Sequence, residues 1–168
     1  MSDEEIWEAI KECFGPDNGS LPTLEVRNLS PSEIERVYLW VRKRVLILGK
    51  ASFWDRELAS DRDLDAVPNA ASLLTSGKAD VFHFVATNWA SAGRVPPIGL
   101  QFFEDAIGID YRMGSDWTKV EVCQLFAFLS DLIDLTTSGK LGASDLEAPP
   151  CGDAFVETFE RYRQERAQ

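Results

Sequence analysis

Three runs between residues 80 and 113 constrain the fold of this chain more than anything else in it: DVFHFVAT, IGLQFF and AIGIDYRM. β-Branched and aromatic residues concentrated in short runs between turn-forming residues are the pattern of strands. Only Glu104 and Asp105 separate the second run from the third, which predicts an antiparallel hairpin, although the turn lacks the Asn-Gly or Asp-Gly of the tightest connections. Alternate residues of a strand share a face, so Ile107, Ile109, Tyr111 and Met113 fall together while Asp110 and Arg112 fall on the other side. Gly114 ends the run, and Ser115 or Asp116 is placed to cap a helix predicted over Asp116–Thr137. Trp117, Val120, Cys123, Leu125, Phe126, Phe128, Leu129, Leu132 and Ile133 make that segment apolar around most of its circumference. It is expected to be a long helix lying against the sheet near the centre of the molecule.

Helical signals surround this block. Ser2 and Glu5 form a capping-box pair, and Ile6, Trp7, Ile10 and Phe14 recur at helical spacing until Gly15-Pro16. TLEVRNL then alternates as a strand does. Ser30, Pro31 and Glu33 open a second helix, expected to reach about Leu46, with Ile34, Val37, Tyr38, Val41 and Val45 on its buried stripe. Residues 49–66 read two ways, as a strand in GKASFWDREL and as an acidic loop in ASDRDLDAV. PNAASLLTSGK predicts a short helix closed by Gly77, and NWASAGRVPP an exposed loop. TTSGKLGASDLEAPPCG reads as loop, and Asp153 opens a last helix with Phe155, Phe159 and Tyr162 on one side. With 168 residues, 45% of them hydrophobic, and neither repeat nor linker, the expectation is a single α+β domain over residues 1–168, an antiparallel sheet packed against helices.

Charge narrows the function. Against 28 acids stand 17 Lys and Arg, a net charge of −11 that repels phosphate backbones and anionic lipid and draws basic partners by long-range steering. Neither a nucleic-acid nor a membrane partner is expected, and solubility is the plainer use of such a charge. The opening MSDEEIWEAIKECF lacks the basic and continuous apolar stretches of a secretory signal. No run approaches the roughly 20 apolar residues of a membrane span. Cys13, Cys123 and Cys151 are too scattered for a CxxC pair and read as reduced thiols, Cys123 as a small core residue, which points to the cytoplasm.

No sequence motif for nucleotide binding, nucleophilic catalysis or metal ligation occurs. Asp61, Asp63 and Asp65 repeat at every second position as a calcium loop opens, but Ala66 and Ser72 stand where glycine and a bidentate glutamate are needed. His83 is the sole histidine and reads as structural, because the sequence locates no partner carboxylate for it. Arg36, Arg42, Lys43 and Arg44 read as a solvated helix face. No catalytic residue, metal or cofactor is therefore expected. What remains is recognition surface. Trp54, Trp89 and Arg94 are of the types that anchor interfaces, and Asp55, Glu57, Asp61, Asp63, Asp65, Glu104, Asp105 and Asp110 would complement a basic target. Against this, large aromatics often fold back on the core.

The stretch LQFFEDAIGIDYRMGSDW, a hairpin leading into an apolar helix, resembles small bacterial immunity proteins that neutralise toxins in interbacterial competition. The resemblance implies a non-enzymatic cytosolic inhibitor whose protein partner is a cognate toxin, basic if it is a nuclease, and whose action is to occlude that toxin's active site or substrate surface. Two other classes stay open on the residues alone: a small carboxylate-dependent enzyme, with or without a divalent metal, using Asp61, Asp63 or Asp110, and a nucleic-acid mimic.

Overall fold

The three strand runs become β5 (Phe82–Thr87), β6 (Ile98–Phe102) and β7 (Ile107–Tyr111), antiparallel neighbours in a computed structural model that describes residues 1–90 and 95–167. TLEVR forms β1 (Thr23–Arg27), which pairs with β7 on one side and with β8 (Lys140–Ala143) on the other. A two-residue β2 (Leu46–Ile47) borders β5, giving the order β2-β5-β6-β7-β1-β8 with every pairing antiparallel. The helices are α1 (Asp3–Ile10), α2 (Pro31–Arg42), α3 (Ala70–Thr75), α4 (Lys119–Ile133) and α5 (Gly152–Arg166). The chain is a single α+β domain.

Strand alternation decides what the sheet buries. Leu24, Val26, Phe82, Phe84, Ala86, Leu100, Phe102, Ile107, Ile109 and Tyr111 point inward and are all buried. They meet the aromatic residues of the helical layer: Tyr38 of α2 stands edge-on to Phe102 at 5.3 Å between ring centres, and Phe14 lies 4.9 Å from Tyr111. The Tyr111 hydroxyl donates to the Cys13 carbonyl at 3.1 Å, so this buried phenol is satisfied. The opposite, outer face carries Thr23, Glu25, Arg27, His83, Val85, Gln101 and Asp110, all partly or wholly exposed.

Several boundaries differ from the sequence reading. α2 stops at Arg42, because Val45-Leu46-Ile47-Leu48 alternates inward and outward with the period of a strand, Leu46 and Leu48 facing solvent. The ambiguous stretch resolves into a separate hairpin of β3 (Ser52–Asp55) and β4 (Ser60–Asp63). β8 lies in the stretch read as loop; Lys and Gly are poor strand formers, and only pairing with β1 reveals it. The long apolar helix expected over residues 116–137 does not exist. α4 has 15 residues, its cap is Thr118 in a box with Glu121, and exposed Lys119 and Val120 occupy its first turn. Trp117 instead tucks under the sheet, its indole N–H donating to the Arg112 carbonyl at 2.8 Å. No helix of the described residues is long and apolar enough to cross a membrane.

The cysteines also depart from expectation. Cys13 and Cys151, 138 residues apart, are joined in a disulfide with their Cα atoms 5.2 Å apart, tying the segment after α1 to the start of α5. With that bond the thiol argument for a reducing, cytoplasmic setting falls. Cys123 is half-buried against the core, where burial pushes its thiol up to about 12.

Candidate functional site

The acidic segment 55–65 sorts into internal and outward groups once the β3–β4 hairpin forms. Asp55 is buried: it caps the turn by accepting from the Glu57 and Leu58 amides, both at 3.0 Å, and it pairs with Arg62 at 3.1 Å. The Leu58 amide, together with Arg62 and the Glu57 amide, holds this carboxyl below its usual range. Asp55 is thus a turn-building residue and no partner contact, because a carboxylate spent on two amides and a guanidinium presents nothing to solvent. Glu57 pairs with Lys78 at 3.0 Å and Asp65 with Arg42, so both charges are met within the chain. Trp54 and Asp61 face each other across the hairpin, with Ser52 and Asp63 as the next pair on the same face. Trp54 is 43% exposed, and no cation among the described residues pairs with Asp61 or Asp63. Exposed Leu58 sits in the connecting turn.

The other sequence candidates lie elsewhere. Trp89 is 4% exposed and belongs to the core: its indole N–H donates to the Pro96 carbonyl at 2.7 Å and its ring packs on Trp117 and Phe128. It is corrected from an interface anchor to a packing residue, the outcome large aromatics favour. Arg94 lies outside the described residues. Glu104 and Asp105 are exposed in the β6–β7 turn, where the Asp105 carbonyl accepts from the Leu29 amide at 3.0 Å. The basic cluster of α2 is largely engaged at home: Arg36 donates to the Leu135 carbonyl at 2.8 Å, Arg42 meets Asp65, and the Arg44 guanidinium lies 4.5 Å from the centre of the Trp40 ring.

Asp110 has a partner that sequence reasoning missed. It projects from the outer face of β7, His83 projects from the same face of β5, and β6 runs between them. Two strand spacings of about 5 Å each separate their backbones. The side chains meet above β6 all the same, His83 Nε2 donating to Asp110 Oδ2 at 2.8 Å. What lets them meet is Gly99, the β6 residue in register with Asp110, where a Cβ would overlap both the carboxylate and the imidazole nitrogen. A glycine within an apolar strand run was the available signal, since it marks a close approach of other groups. Beside the pair lies a hollow of about 320 Å³ walled by Leu21, Val85, Pro96, Pro97 and Met113. Apolar walls with a few convergent polar groups are the usual build of a binding site.

Comparison with protein-family models, with curated proteins and with solved structures finds no match.

Proposed function

We propose that this chain is a non-enzymatic binding protein of the immunity type, which captures a basic toxin and blocks its active site or substrate surface. The observation that carries the reading is the outward face of the β3–β4 hairpin, where an exposed Trp54 stands beside Asp61 and Asp63 that no cation of the described residues neutralises. A large aromatic supplies contact area at low entropic cost, and adjacent carboxylates steer and orient a cationic target. The net charge of −11 acts in the same direction at longer range. Occlusion requires only that the two proteins meet, and the reading does not depend on compartment. The Cys13–Cys151 bond favours an oxidising one over the cytoplasm that the resemblance implies.

The test is affinity capture from the source cells with the wild-type chain and with W54A and D61N/D63N variants, followed by binding at rising salt. A basic partner whose affinity falls with salt, whose capture is lost in both variants, and whose toxicity in a host is relieved by co-expression of this chain is the expected result. An acidic partner, no partner, or capture indifferent to both variants overturns the reading.

A further inference from the structure

The hollow beside His83 and Asp110 is a second place where charge and shape converge, on the sheet face and not on the hairpin. Its floor is the β6 backbone at Gly99, kept low because that residue has no side chain. Asp110 and Asp116 contribute carboxylates to the lining, and Glu147 borders the adjoining surface. Among the described residues of the lining Arg112 is the one guanidinium, and it is 74% exposed at 3.6 Å from Asp17. With His83 neutral, the two carboxylates of the described lining outnumber its one guanidinium. Its walls, by contrast, are the aliphatic surfaces of Leu21, Val85, Pro96, Pro97 and Met113.

We propose that this hollow binds the side chain of an arginine. The apolar walls suit its methylene stem, which long cationic side chains bury while their head group stays with polar partners. A guanidinium is planar and weakly hydrated, and it forks onto carboxylate oxygens where an ammonium makes only point contacts. His83 engages Asp110 through Oδ2, and no hydrogen bond among the described residues occupies Oδ1. At about 320 Å³ the hollow lies near the lower bound of small-ligand pockets, a size for one side chain. As the seat for an arginine presented by a basic partner, it rests on the reading above; as an arginine site it stands on its own geometry.

His83 is the only histidine, so its imidazole ring protons give a single set of NMR signals that report directly on the hollow. N-acetyl-arginine amide is titrated into the full chain at constant ionic strength. Saturable shifts of the His83 signals are expected, with affinity at least tenfold weaker in D110N and several-fold weaker in D116N, which leaves the His83–Asp110 pair in place. N-acetyl-lysine amide should bind several-fold more weakly, and the uncharged citrulline analogue should produce no saturable shift. Shifts that stay linear in concentration, equal binding of the citrulline or lysine derivative, or undiminished affinity in D116N overturn the proposal. Because the probe is an amino-acid derivative and not a partner protein, this result is independent of whether the hairpin captures a toxin.

Discussion

A methyl group added to Gly99 would fall on the carboxylate of Asp110 and the ring nitrogen of His83 together. Flexible side chains can yield, but here yielding means giving up their mutual hydrogen bond over the strand. G99A is therefore expected to destabilise the fold by about 1–3 kcal/mol, the range for inserting a methylene into a packed site. Urea unfolding of G99A, H83A and the double variant checks the cause. If the crowding argument holds, the substitution at 99 costs clearly less in the H83A background, and full additivity would show that the strain lies elsewhere. In the sequence, His83 was plainly singular and Asp110 plainly outward. Gly99 marks a close approach of other groups, but which groups meet there depends on β5 pairing with β6, a non-local fact. The same limit explains Trp54 and Trp89: both stand in or beside segments that read as loops, and only the packing of Trp117 and Phe128 around Trp89 separates the buried indole from the exposed one.

Elements were more legible than their ends. The capping residues of α1 and α2 mark their starts where Ser2 and Ser30 stand, since side-chain caps are local chemistry. The Thr118–Glu121 box is the same local signal, but Asp116 two residues earlier offers a competing cap, and the expected start falls there instead. β8 and the brief β2 owe their existence to neighbours, not to their own propensities. One cap does more than start a helix. Glu33 of α2 accepts from the Ser30 amide at 2.8 Å and also from the Thr137 amide beyond α4, joining two helices through one carboxylate. The Ser30 amide first, then that of Thr137, lowers its carboxyl to about 2. Since the folded value lies below the usual one of about 4.3, its contribution is complete above that pH and is lost as pH falls toward about 2. E33Q should accordingly lower the melting temperature at pH 6, and the gap from the wild type should close steadily as melts are repeated from pH 4 down to pH 2. A gap independent of pH would mean that the ionised form is not what joins the helices.

For the molecule as a whole, the layers are a helical side sealed by aromatic packing and an outer sheet face left to solvent, with the acidic hairpin beside it. Fold class and the existence of the central hairpin could be read from alternation alone. The cysteine pairing could not, because residues 138 positions apart carry no local sign of contact. That bond ties the segment after the first helix to the start of the last. Reducing it should lower the unfolding free energy by about 2–4 kcal/mol, measured by urea titration with and without a reductant, if constraint of the unfolded chain is its main effect. Unchanged stability would mean the two ends hold together by packing alone, through contacts such as Phe14 on Phe155 at 6.1 Å. Joining residues 13 and 151 also makes the backbone between them a covalent ring. A protease that nicks this ring once opens it without releasing a fragment. The cut molecule would run as one band on a denaturing gel until the crosslink is reduced, and it would keep both halves at hand to reassemble.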